Sequence, residues 1–127
     1  MIAANRMRSK LDRPINDLEA DVIRAALERA SVSPHAAELA PTVSELRVVG
    51  QCGCGCDSVD FERGADERSS PIADGTGTTP SGGGVGVIVF GTSTRITELE
   101  VYDLGAGDGD LRLPEPSSVL PWNTAKS

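Results

Sequence analysis

Cys52, Cys54 and Cys56 alternate with Gly53 and Gly55, which packs three thiols into five residues. In an extended segment, alternate side chains share one face, so the three thiols would line up. Positive φ at the glycines would instead fold the segment into a tight knuckle on which the thiols converge. Either shape offers soft ligands to a metal ion. A closed zinc site takes four ligands. His35, the chain's one histidine, would complete a Cys3His set, and Asp57 is an oxygen alternative. The competing reading is a glycine-rich turn whose cysteines act as small buried hydrophobes. Zinc sites commonly use pairs separated by about two to four residues, and these gaps are single. A redox pair wants two intervening residues and a helix N-terminus, and neither is evident.

A second group of residues is acidic. Glu98, Glu100, Asp103, Asp108, Asp110 and Glu115 fall within one short stretch that holds a single base, Arg112. Period-two alternation places Glu98, Glu100 and Tyr102 on one strand face and Leu99 and Val101 on the other. Paired carboxylates can do acid–base work. Two carboxylates beside an aromatic ring also make a docking surface for a basic partner, and a solvated sheet face is the plainer alternative. The candidate contacts are Glu98, Glu100, Tyr102, Asp103, Asp108 and Asp110. Gly82-Gly83-Gly84-Val85-Gly86 precedes a strand instead of leading from a strand into a helix, so it reads as a flexible linker and not as a phosphate cradle. Asp103, Asp108 and Asp110 lack the bidentate glutamate of a calcium loop.

The net charge of −7 is uneven. Residues 1–48 carry seven Lys/Arg and seven Asp/Glu, whereas residues 49–127 carry five and twelve. Phosphate binding needs a basic patch, so nucleic acid is not an expected ligand. A basic protein is. The longest apolar run, Val85 to Phe90, falls far short of the ~20 residues that span a bilayer, so no membrane partner is expected. Arg6, Arg8 and Lys10 are followed by no apolar stretch of the secretory kind. Three clustered cysteines do not form a disulfide framework. A reducing cytoplasm is the expected setting. Arginine outnumbers lysine ten to two, a composition suggestive of a GC-rich bacterial genome.

These side chains need elements to hold them. Residues 1–13 read as a flexible N-terminal arm. Asn16 and Glu19 form a capping-box pair ahead of an amphipathic helix over about 17–30, with Ile15, Leu18, Val22, Ile23, Ala26, Leu27 and Ala30 at helical spacing. Ser33-Pro34 starts a short second helix, limited by Pro41. A strand begins at Leu46-Val48-Val49 and a second spans Val59-Phe61, with the glycine–cysteine segment as the hairpin between them. Residues 64–84 read as a mobile glycine-rich surface loop. Val85–Phe90 is a central strand covered on both faces, and Thr97–Asp103 is the last strand. Residues 116–127 form an extended C-terminal tail. The expectation is an α+β domain over 14–115, with two helices on a four-stranded antiparallel meander.

Arg13-Pro14-Ile15 leading to Glu19, Cys54-Gly55-Cys56-Asp57-Ser58-Val59-Asp60-Phe61, Leu99-Glu100-Val101-Tyr102 and Leu113-Pro114 occur in this order along the chain. In that order the sequence resembles a group of small uncharacterised actinobacterial proteins, and through them the immunity-type proteins found beside polymorphic toxins. The likeness covers residues 13–115 and departs in the glycine-rich stretch at 64–84. It implies a fold more than a function and carries no activity. The acidic strand and tail, with no catalytic constellation beside them, give the expectation of a small non-enzymatic binding protein that docks a basic protein on that acidic surface. The alternative is a small zinc protein using Cys52, Cys54, Cys56 and His35.

Overall fold

The structure is a computed structural model that describes residues 8–52, 56–62, 68–104 and 111–122. Strand β1 (Arg8–Pro14) leads into helix α1 (Asp17–Arg29) and a 3-10 helix (Ala36–Glu45). Then come β2 (Arg47–Cys52), β3 (Val59–Phe61), β4 (Ser70–Thr78), β5 (Gly84–Gly91) and β6 (Ile96–Asp103). A 3-10 turn (Pro116–Ser118) and β7 (Leu120–Pro121) end the described chain. The fold is α+β. Its strands form one antiparallel sheet in the order β1-β2-β3-β6-β5-β4-β7. The expected four-stranded meander does not form: the four expected strands are part of a seven-stranded sheet, and β3 pairs with β6 instead of β5, so they lie in the order β2-β3-β6-β5.

Helix α1 begins where its residues dictate. The Asn16 side chain accepts from the Glu19 amide at 2.8 Å, and the Glu19 carboxylate accepts from the Asn16 amide at 3.0 Å. Two donors at the start of the helix, the Asn16 and Glu19 amides, are thereby satisfied. Arg13 grips the same carboxylate through two nitrogens, at 3.0 and 2.8 Å. Glu19 is only 4% exposed, so this fork supplies the pairing a buried charge requires. The fork also locks the end of β1 to the start of α1. Leu18, expected on the apolar face, is 44% exposed. Ala20, Val22, Ile23, Ala25, Ala26 and Leu27 are the helix residues that enter the core.

That core lies between α1, the 3-10 helix and one face of the sheet. Val85, Val87 and Val89 of β5 meet Leu99 and Val101 of β6, with Val48, Val59 and Phe61 alongside. Burial of each such side chain stabilises the fold by roughly 1.5–3 kcal/mol before entropic costs.

Three expectations require correction. Residues 8–13 are not a loose arm. They belong to β1, which pairs with β2 from Arg8↔Cys52 to Pro14↔Arg47. With Leu11 as its one large apolar residue, an edge strand of this kind lacks the alternation of a half-buried one. The stretch at 64–84 is not a loop as a whole, because residues 70–78 form β4, paired along its length with β5. Gly75 and Gly77 open this strand to neighbours. A Cβ at Gly75 would lie 2.5 Å from the Leu120 carbonyl oxygen, and one at Gly77 would lie 2.6 Å from the Pro114 ring. Gly82-Gly83 is a fixed hairpin turn, with Gly82 at φ +97° and the Gly83 amide donating to the Thr79 hydroxyl at 3.0 Å. That left-handed conformation suits glycine.

The third correction concerns the C-terminal end. Leu113 and Val119 are buried and β7 pairs with β4, so the domain runs from β1 through Trp122 instead of ending at 115. Upstream, the Asp57 carboxylate accepts from the Leu113 amide at 2.8 Å, and the Asp57 amide donates to the Leu111 carbonyl at 3.0 Å. The crossing segment is therefore tied at both ends.

Candidate functional site

The face of the sheet opposite α1 is where the predicted contact residues meet. Register fixes its composition. On β6, Glu98, Glu100 and Tyr102 point away from the core and are half-buried, as their alternation with Leu99 and Val101 requires. Across β5 they face Phe90, Ile88 and Gly86 in turn. Across β3, Glu98 faces Asp60. One strand further out, Asp74 of β4 faces Ile88, and Thr76 faces Gly86. The outer side of β5 is half-buried, short of the two-sided cover expected for it.

The aromatic end of this face is tightly specified. A Cβ on Gly86 would fall 2.1 Å from the Tyr102 ring, so the ring lies directly against the glycine backbone. Trp122 stacks on Tyr102 with ring centroids 6.5 Å apart and planes 19° from parallel. The Trp122 indole N–H donates to Asp74 Oδ1 at 2.7 Å, and the Tyr102 hydroxyl approaches the same oxygen at 3.4 Å. Burial raises the Tyr102 phenol above its ordinary value, and the negative charge of Asp74 raises it further. The phenol is therefore held as a neutral donor. Three of the chain's four aromatic residues, Phe90, Tyr102 and Trp122, share this face with Asp60, Asp74, Glu98 and Glu100.

Asp103 ends β6 and is exposed. Asp108 and Asp110 lie outside the described residues. Asp74 is not among the contacts expected from sequence, because the glycines of β4 resemble those of a loop, and local pattern does not place Trp122. A period-two pattern was nevertheless present, with Asp74, Thr76 and Thr78 alternating with Ala73, Gly75 and Gly77.

The candidate metal ligands do not come together among the described residues. Cys56 is buried against the hydrophobic core. His35 is exposed at the start of the 3-10 helix. Cys54 and the side chain of Cys52 lie outside the described residues, and among those described no three His, Cys, Asp or Glu side chains converge. Asp57, the oxygen alternative, is engaged in holding the 111–113 segment. No helix among the described residues is long and apolar enough to cross a membrane.

Comparison of the chain with protein families, with curated proteins and with solved structures finds no match.

Proposed function

We propose that this is a binding protein that docks a basic protein partner on the open face of its sheet. One observation carries the reading: carboxylates and aromatic rings are interleaved on a single sheet face. Aromatic side chains supply contact area at low entropic cost, and their faces attract arginine and lysine. Carboxylates around them steer a positively charged partner and reject an acidic one. Strands hold such groups more accurately than loops do. The likeness to immunity-type proteins makes a toxin the class of partner to try first.

The test uses a hexa-arginine peptide and the full chain, read by amide chemical-shift mapping at two salt concentrations. Shifts should concentrate at Asp60, Glu98, Glu100 and Tyr102, with affinity falling as salt rises. Reversing both glutamates (E98K/E100K) should slow association and weaken its salt dependence. Shifts confined to the α1 surface, or an unchanged association rate in the double variant, would refute the reading.

A further inference from the structure

The outer edge of β4 is covered by two short segments from distant parts of the chain. After α1, the Ala30 carbonyl accepts from the Asp74 amide at 3.0 Å, and the Val32 amide donates to the Ile72 carbonyl at 2.9 Å. Further along the same edge, Leu120 and Pro121 pair with Thr76 and Gly75. Between the two segments a cleft of about 220 Å³ opens over Asp74, lined by Ala30, Ser31, Val32, Asp74, Pro121 and Trp122.

We infer that this cleft takes the guanidinium group of an arginine side chain presented by the basic partner. The inference rests on the docking reading above and names what that face grips. The volume is below the ~300–1,000 Å³ of sites for drug-sized molecules and is of side-chain scale. Val32, Pro121 and the Trp122 indole make largely apolar walls. The one anionic group is the Asp74 carboxylate. Its Oδ1 is held by two neutral donors, Trp122 and Tyr102, which orient the carboxylate and bring no positive charge to it. Among the described residues, no hydrogen bond reaches its Oδ2 and no ion pair reaches the carboxylate. A guanidinium entering here gains a charge-assisted hydrogen bond from Oδ2 and an aromatic wall. Its planar, weakly hydrated group suits such a slot better than an ammonium does.

The chain's only tryptophan stands in the cleft wall, so its emission reports occupancy directly. The experiment titrates the full chain with an acetylated tetra-arginine amide and, separately, with its tetra-citrulline counterpart, reading Trp122 emission and amide shifts together. The arginine peptide should move the emission saturably, with amide shifts at Ser31, Val32 and Asp74; the neutral peptide should do neither. Asp74→Asn keeps an acceptor oxygen for Trp122 and Tyr102 and should weaken binding about tenfold or more. Val32→Lys, at a position 59% exposed, sets a fixed cation at the rim without disturbing the core and should weaken binding likewise. Shifts at Glu98 and Glu100 with unmoved Trp122 emission and unaltered Asp74→Asn affinity would overturn the cleft and leave the docking face standing. No shift anywhere on the sheet would overturn both. An equal response to the citrulline peptide would overturn the requirement for charge.

Discussion

On β6, Leu99 and Val101 turn inward and are almost completely covered, whereas Glu98, Glu100 and Tyr102 turn outward from the same strand and are half-buried. The inner face of the sheet is aliphatic, with Phe61 its one aromatic residue. The outer face holds the other three aromatics, among acids. The inner face therefore supplies stability through shape and area, and the outer face is free to carry charge because little of the fold depends on it. That division makes each face separately breakable.

Phe61→Ala should have the largest effect, about 3–5 kcal/mol, since it removes a fully buried ring where collapse is limited by sheet and helix. Urea unfolding checks it, and a loss below ~1 kcal/mol would mean that the inner layer can relax around a void. Arg13→Ala sharpens the comparison, because Glu19 is a charge that does belong to the inner layer. Leaving its carboxylate buried without the guanidinium should cost roughly 1–3 kcal/mol. The double change Arg13→Ala with Glu19→Gln should recover part of that loss.

Gly86→Ala is the outer-face position that should behave like a core site. The added methyl collides with Tyr102, and overpacking of this kind costs about 1–3 kcal/mol. The near-ultraviolet dichroism of the stacked Tyr102–Trp122 pair should change while the far-ultraviolet spectrum stays. By contrast, Glu100→Gln should shift stability by no more than about 0.5 kcal/mol, as surface substitutions do. A larger loss there would erase the division of labour between the faces.

The smallest effect is a titration. Tyr102 is the chain's only tyrosine, so phenolate absorbance follows it alone. Its folded-state value lies above the ordinary 10, so the contribution of the neutral phenol to stability is full below that pH. It is lost as pH rises through the elevated value. Asp74→Asn should move the titration back toward the ordinary value by removing one of the charges that raises it.

Local pattern revealed some elements and hid others for identifiable reasons. The Asn16–Glu19 box and the alternation along β6 are short-range signals, and both the start of α1 and the facing of Glu98, Glu100 and Tyr102 follow from them. β1 was hidden because its pairing with β2 is made across α1 and the 3-10 helix. β4 was hidden because its glycines answer a long-range demand, the close passage of Pro114 and Leu120. The bond from Trp122 to Asp74 joins residues 48 positions apart, a separation that no local periodicity encodes.

The two margins of the sheet bear on how a partner can approach. β7 is two residues long and ends on Pro121, which has no amide hydrogen to offer. β1, at the opposite margin, is interrupted by a register shift between Lys10 and Arg13 and also terminates in proline. Margins of this kind resist extension by a foreign strand. Recruitment by strand addition is thereby disfavoured at both ends, as is runaway stacking of copies into fibres. What the molecule offers another protein is breadth across its strands, not length along them.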